Sequence, residues 1–285
     1  GLSTHYAGTQ SGGKIVVAGQ AYSGAGKITI ARLMANGTPD YSFGDSAISS
    51  LTLQSSITPT KFIMKPNGGL LVAGYTYINS QRSFAIVQTT ANGELDANFG
   101  SNGLIITSFS DDALAGGVAL QADGKIVIGG HTEVNNKDHF AVVRLMSDGT
   151  LDQGFGVNGK VTAQIMDGDA YGRAVAILGD GKILLAGDAW GIWNRDFAVA
   201  RFTTNGKLDN SFSLDGFTTK NLGNGNDYVH DAVLQPNGRL VAVGTTYFQY
   251  NGSSGTSSYD FAAARFLGGE STFGEFENSL TNISV

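Results

Sequence analysis

The chain reads as short apolar runs rich in β-branched residues, each ended by glycine, asparagine or aspartate. No stretch keeps a helical spacing of apolar positions over ten residues, so the pattern predicts strands and turns throughout. The runs recur. GGKIVVAG starts at Gly12, NGGLLVAG at Asn67, DGKIVIGG at Asp123, DGKILLAG at Asp180 and NGRLVAVG at Asn237, which gives spacings of 55, 56, 57 and 57 residues. A second run follows each of these: Ile28–Arg32, Phe84–Gln88, Phe140–Arg144, Phe197–Arg201 and Phe261–Arg265. A turn element follows in four copies (GTPDYSFG, GELDANFG, GTLDQGFG, GKLDNSFS), then a short run such as GKVT, then one such as VALQ that leads into the next copy.

Each copy therefore predicts four antiparallel strands, A (VALQ), B (GKIVVAG), C (FAVAR) and D (GKVT). Five copies of four short strands are the mark of an all-β, five-bladed β-propeller of four-stranded antiparallel blades. Strand A of the first blade is expected near 2–10 and strand D of the last near 277–285. The chain then reads as one propeller domain over 1–285, with blades near 1–55, 56–111, 112–168, 169–225 and 226–285. A piece of a longer propeller is the alternative. Asn67-Gly68, Asp123-Gly124, Asp180-Gly181 and Asn237-Gly238 link strands A and B and predict two-residue type I′ hairpins.

The pattern QPDGKIVVAG…FAVARF…G-LD-FG-GK resembles the bacterial delta-sixty repeat family, and the resemblance implies a β-propeller with no general function attached. Blade 1 departs from it at Ile28 and after Phe43, and blade 5 after Phe266, where GGESTFG replaces the LD-FG element.

Composition narrows the function classes. The net charge of −6, with 18 Lys and Arg spread along 285 residues, lacks the basic stripe that nucleic-acid binding needs. No apolar run is long enough to span a bilayer as a helix. There is no cysteine, so disulfides, thiolate metal sites and a cysteine nucleophile are excluded. The Ser, Thr, Asn and Gly content suggests an extracellular, cell-surface or periplasmic location, and Gly1 as first residue implies that any signal peptide has been removed or was never part of this chain.

The repeated Arg32, Arg144, Arg201 and Arg265 (Gln88 in blade 2) and the repeated Asp40, Asp96, Asp152 and Asp209 read as structural ties, because a catalytic group is needed once. Arg32–Asp40, Arg144–Asp152 and Arg201–Asp209 are expected to pair, and Phe43, Phe99, Phe155 and Phe212 to plug the gap between blades. Asp111, Asp112, Asp167, Asp169 and Asp227, beside Asn226, lie in Gly-rich segments; they suit turn capping better than a Ca²⁺ site, and no cofactor is expected. GTQSGGK at Gly8 and GFGVNGK at Gly154 imitate phosphate loops but lead into strands and lack the Ser/Thr. His5, His131, His139 and His230 form no metal-ligand pair.

One position is aromatic in four of five copies: Tyr22, Tyr77, Trp190 and Tyr247, with Glu133 in the third. With Trp193, Phe248 and Tyr250 it marks a candidate ligand face at the B–C loops, centred on blades 4 and 5, where Asp188 and Glu133 can accept hydrogen bonds from sugar hydroxyls. The competing reading packs these rings between blades. The main expectation is a non-catalytic binding or scaffolding module for a protein or glycan. The alternative is a glycoside-cleaving propeller, against which the sequence sets the lack of an acidic pair that breaks the repeat; Asp231 is the one acid beside the A strands.

Overall fold

The computed structural model describes residues 2–21, 27–191, 193–248, 258–266 and 276–281, without the side chains of 2–5, 248 and 276–281. Five four-stranded antiparallel sheets are arranged as a β-propeller. Blade 1 holds β1 (Leu2–Thr9), β2 (Ile15–Ala21), β3 (Lys27–Leu33) and β4 (Ile48–Ser50). Blade 2 holds β5 (Thr58–Met64), β6 (Leu70–Ile78), β7 (Gln81–Gln88) and β8 (Leu104–Thr107). Blade 3 holds β9 (Ala113–Leu120), β10 (Ile126–Val134), β11 (Lys137–Leu145) and β12 (Lys160–Ala163). Blade 4 holds β13 (Ala170–Ile177), β14 (Ile183–Trp190), β15 (Arg195–Phe202) and β16 (Phe217–Lys220). Blade 5 holds β17 (Asp227–Leu234), β18 (Leu240–Phe248), β19 (Ser258–Phe266) and β20 (Phe276–Thr281). Among the described residues the one helical element is a single 3-10 turn, Ser11–Gly13. None is long and apolar enough to cross a membrane.

The chain divides into two compact units, Gly1–Ile126 with Leu145–Thr150, and Val127–Arg144 with Leu151–Val285. In the first, Val16, Ile28, Ile30 and Phe43 of blade 1 pack on Phe62, Leu70, Val72 and Val87 of blade 2. In the second, β14 explains why its run is apolar at every position. Ile183 and Leu185 join Val127, Phe140 and Phe155 of blade 3, while Leu184 and Ala186 join Val229, Leu240 and Ala242 of blade 5. Successive side chains of a strand point to opposite faces, and here both faces are buried.

The hairpins correct the type I′ expectation. At Asn67-Gly68 only the glycine has positive φ, 86°. Gly68 N–H donates to Lys65 O, and Asn67 Oδ1 accepts from Gly69 N–H at 3.1 Å. This is a type I turn followed by a left-handed glycine. The asparagine keeps negative φ because its side chain caps the turn. The same bond joins Gly124 to Gln121, Gly181 to Leu178 and Gly238 to Gln235.

The repeated ion pairs form as expected. The Nε of Arg32 and of Arg144 lies 2.8 Å from Asp40 and Asp152, and that of Arg201 lies 2.8 Å from Asp209. Each guanidinium also stacks on the phenylalanine of its own turn, Phe43, Phe155 or Phe212. Arg32 reaches on to Ala91 O and Arg144 to Thr204 O, each in the following blade. In blade 2 Gln88 donates to Asp96 at 2.8 Å instead. Phe43 and Phe155 plug the gap between blades: a Cβ on Gly93 would lie 2.3 Å from the Phe43 ring, and one on Gly206 3.0 Å from that of Phe155.

Candidate carboxyl site of blades 4 and 5

The segments before each A strand take their shape from side-chain caps. Asp112 accepts from the Arg82 N–H, Asp169 from the Asp138 N–H and Asn226 from the Arg195 N–H. Asp111 accepts from Gln81, and Asp112 also holds the Arg82 guanidinium. These oxygens fasten the B–C hairpin of one blade to the lead-in of the next. Among the described residues no group of three or more His, Cys, Asp or Glu is placed to hold a metal ion.

The aromatic candidates scatter in exposure. Trp193 is 90% exposed and Tyr77 63%. Trp190 and Tyr247 are half-buried. Their backbone N–H groups bond Asp169 O and Asn226 O, and they pack beside Gly168 and Gly225. Tyr247 lies against Tyr259, with ring centroids 5.0 Å apart, and Tyr77 meets Tyr75 edge-on at 6.0 Å. Tyr22 and Tyr250 fall outside the described residues, as does the side chain of Phe248. Trp190 ends β14 and Trp193 follows it in the turn of blade 4, Tyr247 lies near the end of β18 in blade 5, and all three belong to the second unit, whereas Tyr77 belongs to the first.

Asp188 does not accept from a sugar as expected: it is fully buried, with Arg173 Nε and Arg195 Nη1 each 3.4 Å away. Burial still lifts its carboxyl above the ordinary range, against the pull of both arginines. Two further acids share this tendency. Asp227, at the first position of β17, is fully buried and faces Thr246 across the strand pair. Burial pushes it up to about 6; Thr246 and the Leu222 N–H, 2.7 Å from Oδ2, pull the other way, and the charge of Asp196 adds to the rise. Asp196, at the second position of β15, is partly exposed. Burial raises it too, offset by a 2.9 Å bond from Asn221 Nδ2. Trp193 and Asn194 precede it in the same loop, and Asn194 donates to Gly225 O at 2.6 Å.

An electrostatically linked pair of carboxyls with raised pKa, one of them open to solvent, can keep a proton near neutral pH. The sequence reading missed Asp196. It occupies a position filled by Lys27, Ser83, His139 and Asp260 in the other copies, so its variability across the repeat was the available signal.

The profile of a family described as "Domain of unknown function (DUF5122) beta-propeller" matches residues 10–43, 65–99, 121–155, 178–212 and 235–267, and the chain belongs to this family. No curated protein matches the sequence. Among solved structures, a protein of unknown function from Dyadobacter fermentans DSM 18053 shares the fold with a TM-score of 0.51 and 11% identity, over 99% of this chain and 83% of that one. The polysaccharide lyase Uly1 follows with 0.50 and 12%, over 92% of this chain but only 57% of the lyase. A thermostable family-43 glycoside hydrolase gives 0.46 and 12%, over 98% and 93%.

The expectation of a non-catalytic module is corrected by these findings. The fold is shared with a polysaccharide lyase, and Asp196 and Asp227 are two acids of neighbouring blades with raised pKa. The two escaped notice together because they are 31 positions apart, on different blades.

Proposed function

We propose that the chain is a carbohydrate-active β-propeller that cleaves glycosidic bonds, with its resemblance to the delta-sixty repeat family as part of the same reading. The observation that carries it is the two raised carboxyls, Asp196 partly exposed in β15 and Asp227 buried at the start of β17, which feel each other's charge, with the exposed ring of Trp193 three residues before Asp196. Cleavage of a glycoside requires a carboxylic acid that keeps its proton near working pH, together with a second carboxylate. Asp196 is the member that reaches substrate, and Asp227, whose carboxyl is pushed up to about 6, is the second carboxyl. Trp193 offers an apolar face for a sugar ring. The fold shared with Uly1 adds support at the level of architecture.

The experiment is product release from a panel of chromogenic glycosides and polysaccharides by wild type and by Asp196→Asn. Turnover that falls by about 10²–10⁴ in the variant supports the roles given. No turnover on any substrate, or an equally active variant, refutes them.

A further inference from the structure

Near the raised pair, on the side of β14 and β15 that carries Asp188, charge and geometry are out of balance. Arg173 and Arg195 both turn to the single carboxylate of Asp188, each at 3.4 Å. Charge-assisted pairs normally close to about 2.7–2.9 Å, and the same chain achieves 2.8 Å between Arg144 and Asp152. Neither guanidinium therefore closes a short pair with Asp188, and these three side chains together carry one positive charge. Arg195 Nε is buried without a hydrogen-bond partner. The side chains remain reachable, 35% exposed for Arg173 and 18% for Arg195.

Rings surround these cations. Arg195 lies 4.2 Å from the centroid of Tyr171, 5.3 Å from Trp190 and 5.6 Å from Tyr228, and Arg173 lies 5.7 Å from Tyr171. Burial, and after it the charges of Asp138 and Asp169, push the Tyr171 hydroxyl up to about 12 against the pull of Arg195 and keep it neutral. The repeat does not demand this cluster: the position of Arg195 holds Arg82, Asp138 and Tyr259 in blades 2, 3 and 5, and that of Asp188 holds Gln20, Tyr75, His131 and Thr245.

We propose that Arg173 and Arg195, walled by Tyr171, Trp190 and Tyr228, form a subsite for the carboxylate of an acidic sugar in a glycan chain. This deepens the glycoside-cleaving reading and rests on it for the reaction. An arginine fork matches a planar carboxylate in two parallel hydrogen bonds. Three aromatic rings beside it favour a sugar ring as the body that carries the charge.

The test is calorimetric binding of an oligogalacturonate, of its fully methyl-esterified form and of poly-glutamate to the wild-type protein, Arg173→Gln and Arg173→Lys. The expected result is binding of the acid form alone, weakened by salt, lost by about tenfold or more in Arg173→Gln and reduced to an intermediate degree in Arg173→Lys, which keeps the charge but not the fork, with folding checked by an unchanged melting temperature. Equal binding of acid and ester, equal binding of poly-glutamate, no binding of the acid form, or an unaffected Arg173→Gln overturns the proposal. Turnover of neutral glycans without oligouronate binding leaves the glycoside reading standing and sinks this one; oligouronate binding without turnover of any glycan does the reverse.

Discussion

Arg144 donates its Nε to Asp152 at 2.8 Å, lies 4.4 Å from the centroid of Phe155 and hands a second hydrogen bond to Thr204 O in the next blade. One side chain thus closes the C–D turn of its own blade, supports the ring that plugs the gap, and ties the neighbour. Both members of the ion pair are buried. Removing one partner leaves a buried charge without its counterion. Asp152→Ala is expected to lower stability by about 3–5 kcal/mol, measured by denaturant unfolding; a loss under about 1 kcal/mol would show that the tie is dispensable.

Gly93, in the turn after strand C of blade 2, and Gly238, in the A–B hairpin of blade 5, differ in what they touch. Gly93 has φ 79° and the Phe43 ring against it, whereas Gly238 has φ 80° and open space, with nothing within 4 Å of where a methyl group would stand. Gly238→Ala is expected to cost about 1–2 kcal/mol from backbone strain alone. Gly93→Ala adds about 1–3 kcal/mol of overpacking. Equal melting temperatures for the two variants would remove the plug from the account.

Asp227 gives a pH dependence of defined sign. Its folded pKa, raised to about 6 from 3.8, means that the native state binds the proton more tightly than the unfolded one. Stability from this group is fully present below pH 3.8 and is lost as pH rises through about 6. Asp227→Asn keeps an acceptor for the Leu222 N–H and carries no charge. Relative to wild type it is expected to gain on the order of 2–3 kcal/mol between pH 4 and pH 7. A wild-type-to-variant difference that stays constant over this range contradicts the burial of an ionisable group there.

The fold was legible because its determinants repeat: the hairpin glycines, the Arg–Asp tie and the phenylalanine plug recur at fixed offsets, so each copy checks the others. The turn type was not, because Asn67 reads equally as a left-handed residue or as a side-chain cap, and only the backbone decides. The site was hidden for the opposite reason. Arg195 and Asp196 sit at positions that vary between copies, and a reading anchored on constant residues passes over them; Asp188 was noticed, but its burial between Arg173 and Arg195 was not. Trp190 and Tyr247 were visible as a recurring pair, yet their recurrence follows from packing beside Gly168 and Gly225 as well as from any ligand. Exposure, which singles out Trp193, depends on the loop and has no sequence signature.

The pH dependence of kcat/KM on a cleaved polysaccharide tests the paired carboxyls most directly. A pair that holds its proton to about pH 6 predicts activity that falls above that pH in the wild type, with the falling limb displaced in Asp227→Asn and the rate collapsed at every pH in Asp196→Asn. A profile that stays level to pH 8, a limb that Asp227→Asn leaves in place, or the absence of turnover at any pH would contradict it.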